Sequence, residues 1–274
     1  MDNATPTRRI GTLFQSLAAS GRAAFIPYVT AGDPDLDATF WILDGLARGG
    51  ADLIELGMPF SDPMADGPII EAAMNRALNN GTTLAGVFGV ASRFRASHPT
   101  VPLVLFGYVN PLHRRGYDHA AAAAREAGID AFLVVDLPPE EAPSLLPHLA
   151  ANSLDFIALF TPTSDPGRVK AIANVASGFG YYVSMNAITG DALADLAPVK
   201  ERVAMLKAET GLPICVGFGI QSPADAEKVG AFADGVIVGS TLVKLLAETP
   251  REALGEVACK FAASFRRAID GARA

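Results

Sequence analysis

Eight short apolar runs, each followed by a stretch whose apolar residues recur at helical spacing, limit more than anything else the folds open to this chain. The runs are AAFIPYVT (23–30), ADLIEL (51–56), PLVLFGY (102–108), AFLVVD (131–136), DFIALF (155–160), GYYVSM (180–185), PICVG (213–217) and GVIV (235–238). Unbroken apolar runs of this length suit strands covered on both faces, as in a parallel sheet wrapped by helices. Helical patterns fall at 36–47, 69–78, 84–97, 117–127, 138–149, 166–176, 199–209, 223–229 and 241–267, the last broken at Thr249 and Pro250. Asp33 or Asp35 is available to cap the first of these, Gly49 and Gly50 stop it, and Asn110-Pro111 reads as a turn. Ile10, Leu13, Phe14 and Leu17 share one face of a further helix at 7–20, which reads as a lid on the closed end of the fold. Strand and helix alternating eight times in 274 residues predict a (β/α)8, or TIM, barrel. A doubly wound open sheet would carry a glycine-rich dinucleotide turn after the first strand, and AGDPD is not one. No linker or low-complexity tract interrupts the pattern, so a single TIM-barrel domain over 1–274 with an extra N-terminal helix is expected.

The second run carries an anomaly at Glu55. A carboxylate near the end of a buried strand loses hydration worth several kcal/mol unless it is paired, hydrogen-bonded or protonated. Eleven residues on, Asp66 lies in the turn closed by Gly67 and Pro68. In a barrel the end of the second strand faces the mouth that holds the chemistry, and the loop behind it can fold Asp66 over the same space. The bland alternative is a Glu paired with a neighbouring cation, followed by ordinary Asp-Pro and Asp-Gly turns.

Glycine-containing turns follow the last three strands: Ile188-Thr189-Gly190, Gly217-Phe218-Gly219-Ile220 and Val238-Gly239-Ser240, the last running straight into a helical start. Loops at these places in a barrel commonly cradle a phosphate with backbone N–H groups. The formal charge of −7 argues against nucleic acid or an anionic membrane as the main partner, so any phosphate must be held locally. Cys215 and Cys259 have neither disulfide-framework nor metal-ligand spacing and read as buried thiols of a reducing compartment. His98, His113, His119 and His148 fall outside the motifs and read as surface residues. No run has the length to cross a bilayer, and a cytoplasmic protein is expected.

Taken together, FIPYVTAGDP (25–34), ELGMPFSDPMADGP (55–68), YVNP (108–111), DLP (136–138), ITG (188–190), GFGI (217–220) and VGS (238–240) resemble the tryptophan synthase alpha subunit family, in family order over nearly the whole chain. The resemblance implies a lyase that splits indole-3-glycerol phosphate into indole and glyceraldehyde 3-phosphate by a retro-aldol reaction. It implies Glu55 as the mobile acid/base, Asp66 as the carboxylate at the ring N–H and Tyr181 as an assisting hydroxyl. It places the indole against Tyr28, Ile70, Phe106, Tyr108 and Leu133, has Thr189 meet Asp66 when the loop closes, and gives the phosphate to Gly190, Gly219, Gly239 and Ser240. No metal or organic cofactor is implied for this reaction. The implied partners are the substrate and a beta subunit that uses pyridoxal phosphate, in an alpha2beta2 assembly, with Pro59, Phe60 and Asp62 on the contacting loop.

The chain departs from the family pattern at Ala187, where glycine is usual, at Phe106, where methionine is usual, and at Tyr28, where phenylalanine is frequent. A permissive glycine lost at 187 narrows the backbone freedom of the loop and predicts slower closure. Two other readings stay open at this stage: another phosphosugar-binding barrel enzyme, or an alpha-like subunit that acts mainly as an allosteric activator of a beta subunit.

Overall fold

The computed structural model describes residues 8–183, 196–217 and 219–272. Its eight strands close into one parallel barrel in sequence order: β1 Ala24–Thr30, β2 Ile54–Gly57, β3 Leu103–Gly107, β4 Ala131–Val134, β5 Asp155–Phe160, β6 Gly180–Val183, β7 Ile214–Gly217 and β8 Gly235–Val238. β8 returns to β1, pairing Ala24 with Gly235 and Pro27 with Val238. Helices join consecutive strands, so each apolar run is covered on both faces as its composition requires.

Strand parity decides what faces the chemistry. Ala24, Ile26, Leu53, Val104, Ala131, Leu133, Ile157, Phe179, Cys215 and Ile237 point inward and pack as one buried cluster. The alternate residues, among them Phe25, Leu56, Leu105, Phe132, Phe156, Val216 and Val236, belong to the larger cluster between barrel and helices. Moving two residues at a time toward the C-terminal ends, the inward face reaches Tyr28 and Thr30 on β1, Glu55 and Gly57 on β2, Phe106 and then Tyr108 beyond β3, and Tyr181 on β6. Register puts Tyr28 beside Glu55, and Glu55 beside Val104.

The opposite end is shut by α1 (Arg9–Ala19), whose Ile10, Phe14 and Leu17 join the inner cluster, with Phe14 against Phe179. Arg9 pairs with the buried Asp130 at 2.7 Å and Arg8 with the buried Asp155, fixing the helix across the strand starts. The lid inferred from the spacing of these residues is therefore present.

Three predicted boundaries shift for physical reasons. β2 begins at Ile54 rather than residue 51, because Asp52 is drawn into a loop where it accepts from the Phe25 N–H and pairs with the buried Arg266. Asn110 and Pro111 are not a turn but lie in the first turn of α5 (Val109–Arg115), where the missing proline N–H costs nothing. The helix expected over 138–149 breaks into a 3₁₀ turn (Ala142–Ser144) and a short α7 (Leu146–Ala151), since Pro143 and Pro147 each restart the chain at a helical N-terminus. The predicted break near Pro250 is present, between α11 (Ser240–Ala247) and α12 (Leu254–Gly271).

Candidate active site

Glu55 stands on the inward face of β2 and is 1% exposed. Its Oε1 has no hydrogen-bond partner among the described residues. The pairing with a neighbouring cation that would make it a structural residue is thus missing, and burial alone pushes its carboxyl up to about 8. At neutral pH it is a buried carboxylic acid with a proton to give.

Asp66 is carried back over the strand ends by the loop that follows β2, just before α3 (Pro68–Asn79). It is half-buried, and accepts a hydrogen bond of 2.6 Å from the Tyr108 hydroxyl, which itself accepts from the Ala65 N–H at 3.0 Å. Burial raises its carboxyl above the usual range, and the Tyr108 hydrogen bond pulls the other way. Phe60 stacks on the Tyr108 ring with centroids 4.9 Å apart. Tyr108, expected as pocket wall, therefore also fixes the second carboxylate.

Two tyrosines flank the acids. Burial raises the Tyr28 hydroxyl well above its ordinary value, with the Asp66 and Glu55 charges adding to the effect; for Tyr181 burial is again the main cause, with Glu55 and then Asp66 behind it. All four groups thus share one space, and both phenols keep their protons. Each hydroxyl lies over a glycine of the next strand: a Cβ at Gly57 would come within 2.2 Å of the Tyr28 oxygen, and one at Gly217 within 2.2 Å of the Tyr181 oxygen. Tyr28 also meets Phe106 edge-on at 5.1 Å and packs with Ile70, Ala73 and Val243. Leu133 is fully buried in the layer below.

The phosphate candidates of β7 and β8 are brought together. The Thr241 hydroxyl donates to the Ile220 carbonyl at 3.2 Å, tying the loop after β7 to the first turn of α11. Gly239 precedes that helix without a side chain to cap it, leaving first-turn N–H groups for an anion, and Ser240 is exposed beside them. Gly219 has φ 78°, a left-handed conformation that favours glycine. Thr189, Gly190 and the substituted Ala187 lie outside the described residues, as does Phe218.

A family model described as "Tryptophan synthase alpha chain" matches residues 14–269. The chain belongs to the tryptophan synthase alpha chain family. It is 48% identical over 265 residues to the tryptophan synthase alpha chain of Burkholderia mallei (strain NCTC 10229), covering 96% of this chain and 97% of that one. Identity to the alpha chain of Cupriavidus metallidurans is 46% over 262 residues, covering 96% and 99%. The fold is likewise similar to the crystal structure of tryptophan synthase subunit alpha from Legionella pneumophila str. Paris, with a TM-score of 0.89 at 39% identity, covering 96% of this chain and 99% of that chain.

On the loop after β2, Pro59 is buried, Phe60 half-buried and Asp62 exposed, while Met64 is 85% exposed. Of the three residues expected on a contacting loop, Phe60 and Asp62 present surface. Of the histidines, His98 is not a free surface group, since it hydrogen-bonds Asp44 at 2.9 Å and stacks on Phe94. His148 is likewise only half-exposed. Cys215 is buried as expected, whereas Cys259 is half-exposed, and both are free. Among the described residues, no helix is long and apolar enough to cross a membrane.

Sequence reasoning missed Thr30, Gly57, Ala73 and Val243 at the site. The signal was available for two of them: Thr30 and Gly57 follow Tyr28 and Glu55 by two residues, so strand parity puts them on the same face.

Proposed function

We propose that Glu55 and Asp66 carry the retro-aldol cleavage of indole-3-glycerol phosphate to indole and glyceraldehyde 3-phosphate in this chain. The chain is a carbon–carbon lyase of tryptophan biosynthesis, and the other barrel reaction and the purely activating role are not favoured. One observation supports the assignment of roles above all: Glu55 is buried without a partner for Oε1 among the described residues, and its carboxyl is pushed up to about 8. Such a group is protonated at neutral pH and can deliver its proton to indole C3, which must become tetrahedral before the bond to the side chain breaks. The carboxylate left behind then takes the proton of the side-chain hydroxyl as that carbon becomes an aldehyde, so the proton returns to Glu55 and none is consumed. Protonation at C3 puts positive character on the ring N–H, and Asp66, held by Tyr108, stabilises it with a charge-assisted hydrogen bond. Tyr181 supplies a second phenol beside Glu55, and Gly219, Gly239 and Ser240, with Gly190, hold the phosphate.

A beta subunit is the partner, and we place its contact at Phe60 and Asp62 in an alpha2beta2 assembly in the cytoplasm. The test is indole release from indole-3-glycerol phosphate by the full chain, with and without a beta subunit, in wild type and Glu55→Gln. We expect release by wild type and a loss of about 10²-fold or more in the variant. Substantial turnover by Glu55→Gln would overturn the assignment.

A further inference from the structure

Tyr28 has no part in the proton transfers, yet it is the side chain that joins the two halves of the site. At its base, a Cβ placed on Gly239 would lie 3.6 Å from the Tyr28 Cβ, at the point where α11 begins. At its tip, the hydroxyl lies over Gly57, two residues beyond Glu55 on β2. The ring therefore runs lengthwise from the anion cradle to the acids. On the lyase reading above, a substrate whose phosphate sits at Gly239-Ser240 and whose reacting carbon sits at Glu55 would lay its three connecting carbons along this ring. Those carbons carry hydroxyl groups.

The ring is also fixed and its hydroxyl polar for a reason packing does not supply. Phe106 on one side and Ile70, Ala73 and Val243 around it are apolar and give the hydroxyl no hydrogen-bond partner. Instead the chain places a hydroxyl here and a second one, Thr30, two residues on, with the oxygens 3.2 Å apart. Either oxygen can be the donor of that bond. Two hydroxyls carry two hydrogens, and their mutual bond uses one, so among the described residues the pair keeps one donor to offer. Tyr28 is 2% exposed and Thr30 4%, and a donor buried there gains most when a ligand group accepts it.

We propose that Tyr28, oriented by Thr30, is a specificity-determining residue whose hydroxyl donates a hydrogen bond to a hydroxyl of the substrate's three-carbon chain, so that the site selects a polyol linker over a plain alkyl one. This rests on the lyase reading above and adds to it the part of the substrate that is read between ring and phosphate. A site built to bond a substrate hydroxyl discriminates against the analogue lacking it, because its own polar group is then left without a partner.

The test uses the full chain with its beta subunit, in wild type, Tyr28→Phe and Thr30→Val. The substrate is indole-3-glycerol phosphate, and the comparison ligand is an indolylpropyl phosphate with an unsubstituted three-carbon chain. For Tyr28→Phe we expect kcat/KM for the substrate to fall roughly 5- to 20-fold, the loss of one hydrogen bond, while the Kd of the hydroxyl-free ligand changes less than about two-fold. Thr30→Val keeps the phenol but frees its orientation, and should show a smaller fall in the same direction with the same insensitivity of the hydroxyl-free ligand. An unchanged kcat/KM in Tyr28→Phe, or a parallel weakening of both ligands in either variant, would make the hydroxyl pair a packing feature and overturn the proposal. Should Tyr28→Phe fail to fold, Thr30→Val decides by the same comparison. A wild type that releases no indole would instead refute the lyase reading, so the two failures are distinguishable.

Discussion

Glu55 should make this protein measurably less stable as the pH rises through neutrality, and Glu55→Gln should remove that dependence. The ordinary value for the carboxyl is 4.5, and burial raises it to about 8 in the folded chain. The folded state thus holds a proton that the unfolded state releases above pH 4.5, so stability is fully present below that value and is lost as pH rises toward 8. Between pH 5 and 8 the linkage amounts to about 3–4 kcal/mol, a large share of the total for a domain, and above pH 8 to 9 the loss levels off. Other groups titrate over the same range, so the quantity to read is the difference between wild type and Glu55→Gln. Urea denaturation of both proteins at closely spaced pH values from 5 to 9 gives it directly. Glutamine adds a buried amide whose donors need partners, but that offset is constant with pH. We expect the wild type to fall relative to the variant by about 3–4 kcal/mol over this interval. Parallel curves would refute the reasoning: the carboxyl would then titrate near its ordinary value, and Glu55 would carry no proton to give to C3 at neutral pH.

Tyr108→Phe removes the hydrogen bond that opposes the effect of burial on Asp66, so the Asp66 carboxyl should rise further and the acid limb of the kcat/KM profile should move to higher pH. A profile that stays in place would remove Tyr108 from the control of Asp66. Ser240→Ala should weaken phosphate binding by roughly 1 kcal/mol, since one hydrogen bond at most is lost, whereas Gly219→Val must abandon φ 78° and should lose far more; titration with inorganic phosphate, competing with substrate, measures both. Gly57→Ala forces the Tyr28 oxygen away from a Cβ that would lie 2.2 Å from it, and should lower both the denaturation midpoint and kcat/KM. Wild-type behaviour of that variant would show that Tyr28 moves freely.

The barrel was legible because its constraint is repeated along the chain. Each strand had to be apolar on both faces, and eight such runs with helical patterns between them leave few architectures. Boundaries were less legible where a distant partner decides them. The predicted start of β2 was early because nothing local says that Asp52 is claimed by Arg266, 214 residues away. The 138–149 segment read as one helix because Pro138 and Pro139 suit a helical start, although Pro143 and Pro147 interrupt the backbone hydrogen bonding that would have carried it.

At the site, residue type and strand parity together carry the inference further than either does alone. Glu55 stood out because a carboxylate is out of place at the end of an apolar strand, and parity then settles that it faces the barrel's interior with Tyr28, Phe106 and Tyr181. Its proton affinity could not be read in the same way, since that depends on what is absent around Oε1. A single cation on a neighbouring strand would have left the sequence motif unchanged and made the group an ordinary ion pair, held ionised at neutral pH and useless as an acid. The same holds for Asp66. Its motif places it in a turn, but a hydroxyl 42 residues further along the chain sets its orientation and opposes the rise that burial imposes. Two carboxylates thus differ in their surroundings: Glu55, with no such partner among the described residues, keeps its proton to neutral pH, while Asp66, also raised by burial, has in the Tyr108 hydrogen bond a contact that works toward the ionised form the role proposed for it requires.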